Sequence, residues 1–189
     1  MWRSTEFRLE PGFFLLLALA AALGALDVLP VLLAAAACHE AAHLAVLGWF
    51  HVPVERVALT AAGVEIRAPI QTRLSYPQEI AAVAAGPACN LLLALVSARG
   101  PGWYLFAGAN FLLGAFNLLP VLTLDGGRIC YLLVSWLWEP VTADRLCRTL
   151  SAVTAWALLL LLGGLLLLTG QGLLLLLGAA GLLAGCRRG

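Results

Sequence analysis

Six stretches of this chain, at roughly 11–26, 28–50, 78–98, 103–119, 151–169 and 171–186, are apolar for close to the length that crosses a bilayer, about 20 residues. Inside hydrocarbon no water is available to pair backbone N–H and C=O groups. Each run must therefore pair them internally, as a helix does. The chain is 62% hydrophobic and only 11% charged, against about 25% charged residues in ordinary soluble domains. These features predict an all-α polytopic membrane protein with about six transmembrane helices. Its length of 189 residues suits a single membrane-embedded domain over 1–189, with a core at 28–138 and tail spans at 151–186. The lipid bilayer is its main physical partner. The net charge of +1 and the lack of a basic run give no footing for nucleic acid. Five scattered cysteines without a CxxC pair argue against a disulfide framework or a zinc ribbon. The N-terminal run resembles a signal peptide, but Glu6 and Glu10 precede it and further spans follow, so a retained first span is expected.

Two segments interrupt the apolar pattern. The polar insert 51–77 alternates around "VEIR" and contains "TAAG", which predicts a small β-hairpin at the cytoplasmic surface. The apolar piece 127–138 is too short to cross alone and follows "LLPVLTLDGG", where Pro120 and two glycines break a helix. Residues 103–138 are thus read as one broken fourth helix: a span, an unwound stretch and a short helix. Irregular backbone at membrane depth persists where protein buries it or where it lines a wet cavity, so the break marks an interior site. The glycines of the leucine-rich tail suit close helix packing. With six spans and a cytoplasmic N-terminus, ten arginines lie inside and only Arg99 outside, a strong positive-inside bias. The expectation is a multi-pass protein of a bacterial cell membrane with both termini cytoplasmic.

The second span contains His39-Glu40-Ala41-Ala42-His43. Positions i and i+4 share one helix face, so both imidazoles can bind one zinc ion, and Glu40 beside them can move a proton between water and a leaving amine. Ionisable groups inside a membrane are costly and usually functional. A catalytic zinc commonly has three protein ligands. Asp125, beside the predicted break, is the candidate third, and it could equally cap the helix that follows. His51 is read as a solvated loop residue and Cys38 as packing. In the third span, Gly86 and Pro87 precede Asn90. Asn90 could be a kink contact, or it could line the active-site cavity and orient substrate or an oxyanion. Asn117, in "FNLLP", is a similar candidate at the mouth of the break, and the glycines after Asp125 are read as room for backbone near a substrate.

Taken in order, HExxH, GPxxN (Gly86, Pro87, Asn90) and "NLLPVLTLDGG" resemble the site-2 protease family of intramembrane zinc metalloproteases, peptidase family M50. The six-span set that includes stage IV sporulation protein FB looks nearest. The resemblance implies one Zn2+ per chain held by His39, His43 and Asp125, with Glu40 as catalytic base. It implies that Asn90 and the Asn117–Asp125 region, with Gly86 and Pro87, contact substrate. The implied reaction is cleavage of a membrane-tethered or membrane-associated protein, such as a pro-sigma or anti-sigma factor, in or near its transmembrane segment, with a membrane regulatory or inhibitory protein as a further partner. Control by a CBS or PDZ domain is not expected, since the sequence shows neither. The competing reading is a metal or proton transporter or channel using the same His/Asp cluster. Repeated halves or paired broken helices would mark that class, and the sequence shows neither.

Overall fold

The structure, a computed structural model, describes residues 6–9, 26–53, 56–60, 63–67 and 74–169. The last expected span, 171–186, and nearly all of the first, 11–26, lie outside these residues. The elements in order are β1 (Glu6–Leu9), α1 (Leu29–Trp49), β2 (Arg56–Thr60), β3 (Gly63–Arg67), α2 (Tyr76–Ser97), a single 3-10 turn (Pro101–Trp103), α3 (Tyr104–Asn117), α4 (Asp125–Leu137) and α5 (Pro140–Thr169). The chain divides into two compact units, Met1–Ala115 and Phe116–Gly189.

In the first unit, α1 packs against α2. α1 starts with Pro30 in its first turn, where a missing N–H costs nothing. It ends in a Schellman motif. His51 takes a left-handed φ of 56°, and the amides of His51 and Val52 bond back to Gly48 O at 3.0 Å and Leu47 O at 2.9 Å. His51 is therefore the exposed stop of this helix, close to the solvated loop position expected. At the start of α2 the Ser75 amide donates to Gln78 Oε1 at 3.0 Å. Its 22 residues then run through the buried Pro87, which withholds one amide from the helix ladder.

The insert after α1 forms part of a three-stranded sheet ordered β1-β2-β3. β2 and β3 pair antiparallel with Val57 opposite Ile66, and Thr60 opposite Gly63. β1 pairs parallel to β2, with Phe7 opposite Val57. The hydrophobic pattern gave no sign of β1, because its partner lies about fifty residues away and Glu6–Leu9 alone is too short to declare a period.

The second unit begins at the end of α3 and contains the break. α3 is 14 residues long, about 21 Å at a helical rise of ~1.5 Å per residue, and so is shorter than a full span. The break pairs its own amides. Leu119 N bonds Phe116 O at 3.1 Å, Val121 N bonds Leu119 O at 2.8 Å, and Leu124 N bonds Val121 O at 2.8 Å. Leu122 N donates to Ser151 Oγ on α5 at 3.0 Å. This satisfies the requirement for irregular backbone away from water. α4 packs against α5, and α5 is longer than the apolar pattern indicated. It starts at Pro140 and runs 30 residues, because the polar stretch before 151, with its exposed Asp144–Arg148 pair at 2.9 Å, continues the same helix.

Among the described residues, three helices are long and apolar enough to cross a membrane: Leu29–Trp49, Tyr76–Ser97 and Pro140–Leu168. Burial across the described helices is inverted relative to a soluble domain. Buried positions are small or polar, such as Ala35, Ala82, Asn90, Ala109, Asn110, Ser151 and Ala155. Large apolar side chains, such as Leu95, Phe111, Leu112, Leu160 and Leu167, are exposed. Small residues at helix contacts and leucine outside is the arrangement lipid favours, and it marks an integral membrane protein.

Candidate metal centre

The i, i+4 spacing brings His39 and His43 together on α1. Their Nε2 atoms lie 3.1 Å apart, with the rings edge to face at a centroid distance of 4.7 Å. Each ring's other nitrogen is committed elsewhere. His43 Nδ1 donates to Ala82 O on α2 at 2.8 Å, and His39 Nδ1 donates to the Asn90 side-chain oxygen. A neutral imidazole has one donor and one acceptor nitrogen. With both Nδ1 atoms donating, both Nε2 atoms present lone pairs toward the same place, which suits a cation. Two nitrogens held tetrahedrally at Zn–N distances of 2.0–2.1 Å would stand roughly 3.3–3.4 Å apart, close to the separation seen.

Gly86 supplies a second test of fit. A Cβ built there would lie 2.3 Å from His43 Nε2 and 2.7 Å from His39 Nε2. The glycine keeps clear the space beside the two Nε2 atoms. Its close approach is to the imidazoles, which a reading of the sequence could not specify. Pro87 is buried directly behind it.

Asn90 is wholly buried. Its Nδ2 donates to Ala35 O at 3.1 Å and to Asn110 Oδ1 at 2.7 Å, while its oxygen accepts from His39. These contacts place it behind a candidate ligand, where it holds a ring in register. Asn110 was not among the residues singled out from the sequence, although an amide in an apolar helix is a signal that could have found it. Glu40 lies half-buried on α1, next to His39 in sequence.

In the second unit Asp125 is the first residue of α4, and Leu124 holds the N-cap position. The cap role considered for Asp125 thus falls one residue earlier, and its carboxylate sits at the helix end where the macrodipole favours negative charge. Asn117 closes α3 and is half-buried. The glycines after Asp125 make room for the chain's own break. A Cβ at Gly126 would stand 2.2 Å from Leu118 O, and one at Gly127 would stand 2.1 Å from Val121 O. Asp125 is the carboxylate that the sequence resemblance pairs with His39 and His43 as a third donor. Two nitrogens and a carboxylate are a donor set that zinc takes.

Fold and site together define a class: a mostly helical membrane protein with an HExxH metal centre. Known proteins bear out the resemblance to the site-2 protease family. The model of peptidase family M50 matches residues 101–162. The protein described as zinc metalloprotease Rip3 of Mycobacterium tuberculosis, in strains Erdman and H37Rv, is 37% identical over 131 residues, covering 58% of this chain and 30% of the relative. The chain thus spans about a third of the length of the curated relatives it matches. The site-2 protease from Methanocaldococcus jannaschii superposes with a TM-score of 0.72 at 22% identity, covering 100% of this chain and 93% of that one. That likeness shows that the fold is shared.

Proposed function

We propose that this chain is a peptidase family M50 member, an intramembrane zinc metalloendopeptidase that cleaves a membrane-tethered protein within or beside its transmembrane segment. The observation that carries the reading is the His39–His43 pair, whose Nε2 atoms stand 3.1 Å apart while both Nδ1 atoms donate elsewhere. His39, His43 and Asp125 would hold one zinc. When bound, zinc supplies a Lewis acid that polarises the scissile carbonyl and acidifies water.

The chain's own residues do the rest. Glu40 accepts a proton from the attacking water and delivers it to the departing amide nitrogen as the C–N bond breaks, so one water is consumed for each peptide bond. Asn90 and Ala82 keep the two imidazoles presenting Nε2. Asn117 and the stretch up to Asp125 are the proposed substrate contacts. The ten-to-one arginine distribution supports a centre opening toward the cytoplasm, with the product released there. A membrane-anchored pro-sigma or anti-sigma factor is the substrate class the sequence resemblance suggests.

Co-expression with candidate membrane-tethered proteins tests the reading. A shortened product with wild type and none with Glu40→Gln supports it. The same product from both variants overturns it.

A further inference from the structure

Behind His39 lies a chain of buried amides whose direction is forced. Asn110 Nδ2 donates to the backbone carbonyl of Phe106 at 2.9 Å, a group that can only accept. Asn110 must therefore turn its oxygen to Asn90, whose Nδ2 donates to it at 2.7 Å. The same Nδ2 also donates to the Ala35 carbonyl at 3.1 Å. Both N–H bonds of Asn90 are thereby used on acceptors, and only its oxygen remains for His39. An amide can otherwise be flipped end for end at little cost in shape. Here two backbone carbonyls, on α1 and α3, fix its polarity from both sides. Asn90 and Asn110 are each 0% exposed, so no water competes for the bonds.

We propose that Asn110 is a positioning residue that fixes the tautomer of His39. Through Asn90 it holds the proton on Nδ1 and leaves Nε2 as the ligand atom, and so sets the metal affinity of a site it does not touch. The inference rests on the zinc reading above. Partners one step behind a metal ligand are worth about 10–100-fold in metal affinity, and Asn110 acts one step further back, through an amide whose orientation is otherwise held by the longer 3.1 Å bond to the Ala35 carbonyl. Leucine at 110 keeps the volume but removes both polar ends. Asn90 then keeps only the 3.1 Å bond to the Ala35 carbonyl against flipping, and in the flipped fraction it offers an N–H to His39, which draws the ring into the other tautomer. Aspartic acid, kept neutral by burial, retains an acceptor for Asn90 and an O–H for Phe106, so it preserves the direction of the chain.

The test uses the full chain in lipid nanodiscs with 15N-labelled histidine. The protein has three histidines, so the ring resonances can be assigned by single substitution. In zinc-free wild type, His39 is expected as the Nδ1–H tautomer. In Asn110→Leu it shifts to a mixture or to Nε2–H, with His43 and His51 unmoved. Zinc affinity, read by chelator competition, falls about 10–100-fold in Asn110→Leu and stays near wild type in Asn110→Asp. An Asn110→Leu protein that elutes as wild type with an unchanged His39 tautomer and unchanged zinc affinity overturns the proposal. If Asn110→Leu does not fold, Asn110→Asp decides: a retained Nδ1–H tautomer supports the proposal and a lost one overturns it. Wild type that binds no zinc defeats the metal-site reading separately, and the tautomer measurement still decides the role of Asn110.

Discussion

Replacing Gly86 with alanine adds one methyl group and should cost the protein its metal. The added Cβ would lie 2.3 Å from His43 Nε2, 2.7 Å from His39 Nε2 and 2.7 Å from His43 Cε1. Ordinary contacts between carbon and other heavy atoms lie near 3.5–4.0 Å, so the overlap is about 1 Å with two rings at once. The rings cannot simply swing away, because each is tied by its Nδ1 hydrogen bond, to Ala82 O or to Asn90. Relief requires breaking one or both bonds, at about 1 kcal/mol each, or prying α1 from α2, with an overpacking cost of roughly 1–3 kcal/mol. Either route points at least one Nε2 away from the place where the pair converges. Zinc affinity should fall by at least about 100-fold, the upper end of what misorienting a ligand costs. The assay is zinc content by elemental analysis after graded chelator competition, with a melting curve to show that the chain is folded. Gly108→Ala is the control, since nothing lies within 4 Å of a Cβ there. Folded Gly86→Ala protein with wild-type zinc affinity would refute the reasoning, because the glycine would then not border the metal position.

Purified wild type should carry about one zinc per chain, and His39→Ala or His43→Ala should lose most of it; stoichiometric zinc in the double substitution, by elemental analysis, would move the site elsewhere. Glu40→Gln should keep metal and fold but abolish cleavage, since an amide cannot accept the proton from water; near-wild-type product on a blot would reassign the base. Gly127→Ala should destabilise the break by roughly 3 kcal/mol, because the Cβ would meet the Val121 carbonyl at 2.1 Å and backbone cannot step aside as a side chain can; an unchanged melting temperature would sink that account. A cysteine-free variant with single cysteines at position 72 or 102 should react with a membrane-impermeant thiol reagent on intact cells at 102 only, and labelling at 72 alone would reverse the proposed orientation.

Local pattern was enough for much of this protein. The HExxH face depends only on an i, i+4 repeat along one helix. The helices Leu29–Trp49 and Tyr76–Ser97 follow from apolar length, and the break after Asn117 follows from Pro120 and the two glycines. Each of these is dictated by chain geometry over a few residues. What the break glycines touch was not legible. Gly126 and Gly127 face Leu118 O and Val121 O, contacts made only once the stretch has folded back on the start of α4. The polar run before residue 151 carries no apolar signal of a span. It is helix because α5 extends beyond its apolar part and α4 packs against it. The β1 strand needed β2 across about fifty residues of sequence.

The deepest difference lies behind His39. Sequence alone put two histidines and a glutamate on one span and marked Asn90 as a polar residue at depth, with its task left open. Tertiary structure alone decided that Asn90 faces His39, that Asn110 from a third helix holds Asn90, and that Ala35 and Phe106 fix the direction of every bond. A side chain's type fixes which bonds it can make. Which bonds it does make, in a place without water, depends on which acceptors other helices bring within reach.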